Sequence, residues 1–233
     1  MSQTYLDQQR RAVAQMAYGA GAGASALARA VEPDYDRDDR RCLTSVVFLP
    51  RATAERIRRT VSQRLRELEP RFHYHAPDAM HITVKNVRDV HHPPLFSDRD
   101  VRKCQAVFAD VVARHPAFSF RLEEVVAFAS SVCVVGYCDE RFRDLVLDLD
   151  RRLLEAGLPD DKRYVSDSVF FGNVTICRFT SPPPAPFLQT VQRLRRTLEA
   201  EVPAKVVRLI ACDAVCSRAS RKLLGAFALA AGR

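Results

Sequence analysis

Two stretches govern the reading of this chain: Met80-His81-Ile82-Thr83-Val84-Lys85 and Gly172-Asn173-Val174-Thr175-Ile176-Cys177-Arg178. Each sets a polar residue, a β-branched apolar residue, a Thr and a second β-branched apolar residue in a row. Side chains on a strand alternate between its faces. His81, Thr83 and Lys85 are therefore expected on one face, with Ile82 and Val84 in the core. Asn173 and Thr175 are expected together, opposite Val174 and Ile176. Strict alternation puts Arg178 on the face away from Thr175.

Outward from these strands the order of elements repeats. Leu43 to Leu49 reads as a strand, and Ala52 to Leu68 as a helix with Ile57, Val61, Leu65 and Leu68 at helical spacing. Met80 to Val87 is the first motif strand. Asp98 to Arg114 is a helix and Phe118 to Phe128 a strand. The second round runs from strand Val132–Tyr137 through helix Glu140–Glu155, closed by Gly157, to the motif strand Val169–Phe179. Helix Pro186–Ala200 and closing strands Val206–Val215 and Lys222–Leu229 complete it. Strand, helix, strand, helix, strand in each half is the mark of an internal duplication. The expected fold class is α+β: a bilobal duplicated fold, with two antiparallel sheets and outer helices around a central groove. The expected organisation is a flexible tail over residues 1–41, a first lobe over 42–128 and a second over 129–233. The tail rests on the Ala/Gly run Gly19–Ala30 and the mixed charges of Asp34–Arg41. Leu6 to Tyr18 reads as a short helix within it.

Composition narrows the function classes. The 233 residues are 47% hydrophobic and 27% charged, which suits a globular protein. The longest apolar stretches are strand-length, far short of a bilayer span, and no secretory leader pattern opens the chain. A cytoplasmic location is expected. The net charge of +8 lies wholly outside residues 1–41, which hold six Arg and six Asp or Glu. It points to a polyanionic partner such as RNA or a nucleotide; an Arg-rich, Ala-rich coding bias is the alternative source of the surplus. Seven Cys without a CxxC pair read as free buried thiols. His73 and His75 share a face, but no third metal ligand stands at a recognisable spacing, so no metal is expected. No nucleophile elbow or Gly-rich phosphate loop appears.

On its two motifs the sequence resembles the 2H phosphoesterase superfamily, which includes the 2′-5′ RNA ligase and cyclic phosphodiesterase proteins. That family carries two His-x-Thr/Ser motifs, one per lobe. The first is intact as His81-Ile82-Thr83-Val84; the second is Asn173-Val174-Thr175-Ile176, with Asn in the place of His. The resemblance implies chemistry without metal or cofactor, in which one His is general base and the other general acid. It implies His81 as general acid/base. It also implies that Thr83, Asn173 and Thr175 hold the phosphate of a nucleotide or RNA end carrying a 2′,3′-cyclic phosphate or 2′-5′ linkage. Asn donates a hydrogen bond but cannot shuttle a proton. An impaired phosphodiesterase or ligase-like enzyme and a non-catalytic nucleotide- or RNA-binding module therefore both stand. Lys85, His75 and Tyr74 are the further candidate substrate contacts: Lys85 by its face, His75 as a nearby second acid, Tyr74 as a stacking ring. Arg178 matches an Arg that often follows the second motif in the family.

Overall fold

Antiparallel pairing joins nine strands into one sheet in the computed structural model, which describes residues 3–19, 34–35, 38–159 and 166–231. The elements begin with α1 (Gln3–Met16), β1 (Arg41–Phe48) and α2 (Arg51–Ile57), which runs through a π turn at Arg58–Ser62 into α3 (Gln63–Leu68). Then come β2 (His73–Tyr74), β3 (His81–His91), α4 (Asp98–Val112), β4 (Phe118–Phe128), β5 (Ser131–Tyr137) and α5 (Glu140–Glu155). Last are β6 (Gly172–Arg178), α6 (Ala185–Arg193), β7 (Ala200–Ala204), β8 (Val206–Cys212) and β9 (Lys222–Ala228).

The helices form where apolar residues recur at helical spacing and caps close the ends. In α5, Phe142, Leu145, Val146, Leu149 and Leu153 make one buried stripe. The Asp139 carboxylate accepts from the Arg141 N–H at its start. At its end Gly157 takes φ +76°, and Leu158 N–H donates to Leu153 O at 2.8 Å. A side chain at that left-handed position would be strained. α4 opens on a reciprocal capping box between Ser97 and Asp100. The stripes of α2 to α6 all enter one large core against Leu43, Val47, Ile82, Val84, Val132, Val134, Val174 and Ile176. Each such side chain contributes about 1.5–3 kcal/mol on burial. The opposite face of the sheet is the open face.

The strand order is β7-β4-β5-β6-β3-β1-β8-β9, with β2 also pairing to β6. The expected α+β class and helix-covered antiparallel sheets are what the chain forms. The two expected sheets are instead joined edge to edge into one, through the pair Ile82↔Val174 between β3 and β6. The halves of the sheet are not the halves of the chain. β4, expected in the first lobe, pairs with β5 and β7; β8 and β9, expected in the second, extend from β1. Boundaries at 42–128 and 129–233 therefore cut across the sheet: each chain half lends outer strands to the other's motif strand. α6 stops at Arg193 instead of Ala200, because the chain turns there to add β7 at the sheet edge, where Pro203 is tolerated.

The N-terminal segment also departs from expectation. α1 is docked, with Tyr5, Leu6, Gln9, Ala12 and Val13 buried. These residues recur every three or four positions, and the polar one among them, Gln9, donates from Nε2 to Phe170 O at 2.6 Å. A satisfied buried amide makes a short stripe look weaker in sequence than it is. Tyr18 N–H donates to Ala127 O at 2.8 Å, and Tyr35 is buried beside His73. The Ala/Gly run from residue 20 onward lies outside the described residues.

Candidate functional site

The β3–β6 seam builds the site. Ile82 and Val174 pair directly and point into the helix-side core. Antiparallel register then sets His81 across from Thr175, and Thr83 across from Asn173, on the open face. All four are half-buried. His81 Nδ1 lies 2.7 Å from Ala79 O, an arrangement that puts its proton on Nδ1 and leaves Nε2 to exchange. The His81 ring stands 6.0 Å from that of Phe48. On the second strand Asn173 Nδ2 donates to Cys133 Sγ at 3.7 Å, and Thr175 Oγ1 is 3.6 Å from the same sulfur.

Both motif strands carry a β-bulge at the same place. On β3, Val46 pairs with Thr83 but Ser45 with Lys85, so Val84 is the extra residue. On β6, Cys133 pairs with Thr175 but Val132 with Cys177, so Ile176 is extra. A bulge reverses the facing of everything beyond it. Lys85 therefore leaves the motif face: it is buried on the helix side, where Nζ donates to Asp150 of α5 at 2.7 Å. Arg178 moves the other way, onto the face of Thr175, with its guanidinium 5.9 Å from the Tyr35 ring. Alternation excluded Arg178 and selected Lys85; the bulges exchange them.

Tyr74 is not a groove residue either. Its ring is in the helix-side core, its hydroxyl donates to Glu69 O at 3.0 Å, and Arg66 covers it. His75 lies next to His73, ring centroids 5.3 Å apart, but both its ring nitrogens are buried and without a hydrogen-bond partner. Burial, then the charges of Arg178, His73 and His81, holds its pKa well below the ordinary histidine range. His75 is thus a buried neutral ring close to Arg178 and His73. Tyr164, whose ring stands near the second motif in sequence and could stack on a base, lies outside the described residues.

Sequence reading missed the turn after β8. The Asp213 carboxylate accepts from the N–H groups of Val215 and Ser217 at 3.1 and 2.9 Å, folding the turn. Cys216 sits in it at φ +53°, an uncommon conformation for a residue with a Cβ. Its sulfur is close enough to His81 to favour the charged ring. Burial disfavours protonation of His81, but Cys216, with the Ala79 carbonyl, outweighs it and raises the His81 pKa. Cys216 is pushed down to about 5 by hydrogen bonding from Cys212, against burial, and by His81 and Arg221. Arg221 lies 4.8 Å over the Phe48 ring and donates to Asp78 O at 2.6 Å. No local pattern announces such a partner 135 residues downstream of the histidine; a lone Cys in an apolar run reads as core. Among the described residues no group of three or more His, Cys, Asp and Glu is disposed to hold a metal ion. No helix among them is long and apolar enough to cross a membrane.

Comparison with known proteins follows the same outline. Residues 47–135 match the family model of LigT like phosphoesterase, a stretch that contains the His81 motif. No curated protein matches the chain. Among solved structures, Escherichia coli LigT complexed with 3′-AMP superposes with a TM-score of 0.60 at 16% identity, over 82% of this chain and 99% of that one. The same protein complexed with ATP gives 0.57 at 15% identity, over 82% and 99%. TT0787 of Thermus thermophilus gives 0.55 at 17% identity, over 82% and 100%. The unmatched share of this chain has the size of the segment before β1. The match across the first motif and the shared fold make this chain similar to the LigT-like phosphoesterases, the group that its two motif strands resemble.

Proposed function

We propose that the open face at the β3–β6 seam binds the phosphate of a nucleotide or RNA end, as a 2′,3′-cyclic phosphate or a 2′-5′ phosphodiester. The observation that carries this reading is the register of Ile82 on Val174, which makes the two motifs one four-residue polar patch. Thr83 and Thr175 hydroxyls and the Asn173 amide supply neutral donors for phosphoryl oxygens. Arg178 adds a planar cation suited to phosphate. That LigT has been solved with 3′-AMP and with ATP supports a nucleotide as the ligand class.

His81 is the group in the patch able to move a proton. With Nδ1 committed to Ala79 O and its pKa raised, it suits the role of general acid. Water attacks phosphorus, the bond to the leaving ribose oxygen breaks, the imidazolium delivers its proton to that oxygen, and the proton shed by the attacking water passes to bulk solvent. Asn173 orients the phosphate but removes no proton from the water. The reading is thus a metal-independent phosphodiesterase working with one of two proton-transfer groups. Asn173 itself favours a second reading, a nucleotide-binding module without turnover. Hydrolysis of nucleoside 2′,3′-cyclic phosphates, measured beside nucleotide binding, separates the two. Turnover that vanishes in His81→Ala supports the enzyme; binding without turnover supports the module; neither binding nor turnover refutes both.

A further inference from the structure

The open face is not equally open on both sides of the seam. Cys133 and Val135 of β5 stand directly opposite Thr175 and Asn173 of β6, so they share the face of the motif. α1 lies on them. Leu6 and Val13 form one apolar cluster with Val126, Phe128, Cys133, Val135 and Tyr137. The helix is fastened to the chain entering β6 as well. Gln9 and Tyr5 both donate to Phe170 O, at 2.6 and 3.3 Å, and Phe170 N–H donates back to the Tyr5 hydroxyl at 3.2 Å. On the first-lobe side β1 presents Phe48, half-buried beside His81. A recess of about 600 Å³ opens next to it, lined by Phe48, Leu49, Pro77 and Met80 with the basic Arg51 and Arg218 and the acidic Glu55 and Asp78.

A phosphodiester has two ester arms. A phosphate seated over the motif residues sends one arm toward β1 and the other toward β5. The first meets an aromatic ring and a nucleoside-sized recess with both acidic and basic side chains at its wall. The second meets a helix packed on the sheet. We propose that α1 is a specificity element that closes the β5 side, so that the site takes phosphates with a single nucleoside arm, a nucleotide or a cyclic phosphate at a chain end, and rejects internal linkages. This rests on the phosphate-site reading above and narrows its two substrates to one.

The test compares adenosine 3′-monophosphate with 2′-5′-linked diadenylate by calorimetric titration of the full chain. The monophosphate is expected to bind at least tenfold more tightly. In Val13→Asp, which sets a charge into the α1 contact, the diadenylate is expected to gain at least tenfold while the monophosphate holds its affinity. Tryptic cleavage after Arg10 reports that the helix has lifted. If Val13→Asp fails to fold, Gln9→Ala replaces it, and the comparison on the unaltered chain still decides. Equal binding of both ligands by the unaltered chain overturns the role of α1 and leaves the phosphate site standing. A lifted helix with no gain for the diadenylate does the same. Failure of either ligand to bind overturns the phosphate site itself.

Discussion

β3 and β6 are the same strand made twice and finished differently. Aligned on their motifs, His81 meets Asn173, Thr83 meets Thr175, the bulged Val84 meets Ile176, Lys85 meets Cys177 and Asn86 meets Arg178. The features that set backbone path are kept in both: the apolar pair at the seam, the Thr, the bulge. The features that carry charge are divided. β3 holds the imidazole and, past its bulge, an amide; β6 holds the amide and, past its bulge, the guanidinium. A site between two related strands can therefore shed its symmetry one side chain at a time while its frame stays duplicated. On the function proposed above, one strand is the proton donor's side and the other the anion holder's side.

That division is open to direct attack. The largest effects belong to the motif pair. His81→Ala is expected to lower cyclic phosphodiesterase turnover by about 10²–10⁴-fold, the usual worth of a positioned acid or base. Asn173→His, which restores symmetry, is expected to raise it by a similar roughly 10²–10⁴ factor and give a bell-shaped pH–rate profile with two macroscopic pKa values. An unchanged rate in Asn173→His would show that the strands no longer work as a pair. Arg178→Ala is next: loss of the guanidinium is expected to weaken inorganic phosphate binding about tenfold or more, whereas Lys85→Met leaves it unchanged, a contrast that isothermal titration measures directly.

A finer probe concerns the protonation of His81. Because Cys216 raises its pKa, the imidazolium persists to higher pH than in a free histidine, and activity that needs the proton falls only as pH rises through that raised value. In Cys216→Ala burial acts unopposed by the thiol, and the NMR titration midpoint of His81 is expected to move down. The fall in rate should move with it. A midpoint that stays put would detach Cys216 from the site. The smallest effect separates the two members of the Lys85–Asp150 pair. Lys85 is 2% exposed and Asp150 51%. Asp150→Ala takes a carboxylate away from a buried ammonium and is expected to cost more stability in urea unfolding than Lys85→Met, whose apolar replacement fits the site.

Much of this arrangement is legible in the sequence because periodicity is a local property. Met80–Val87 and Gly172–Arg178 alternate, α5 repeats its apolar stripe, and Gly157 ends it. Two kinds of feature escape. A bulge adds one residue without altering composition, so Lys85 and Arg178, which lie beyond the bulges, read on the wrong faces although the residues before them read correctly. Contacts formed by distant segments leave no local trace: α1 on β5, Tyr35 on His73 and Cys216 on His81 each join residues whose own windows look ordinary. The strand exchange between chain halves is of the same kind, since adjacency in sequence favours pairing β4 with what precedes it.

That exchange has a consequence for how the protein comes into being. Cys42 on β1 and Cys212 on β8 are cross-strand neighbours separated by 170 residues. A nascent chain leaving the ribosome presents β1 and β3 long before β8 exists to cover the far edge of β1. Neither chain half owns a complete sheet half, so the duplicated units cannot fold one after the other as independent modules. Closing so long a loop before its contacts reward it makes for slow, concerted folding. Meanwhile the bare edge of β1 is exposed to other strands, and a fragment ending before Val206 keeps that edge permanently.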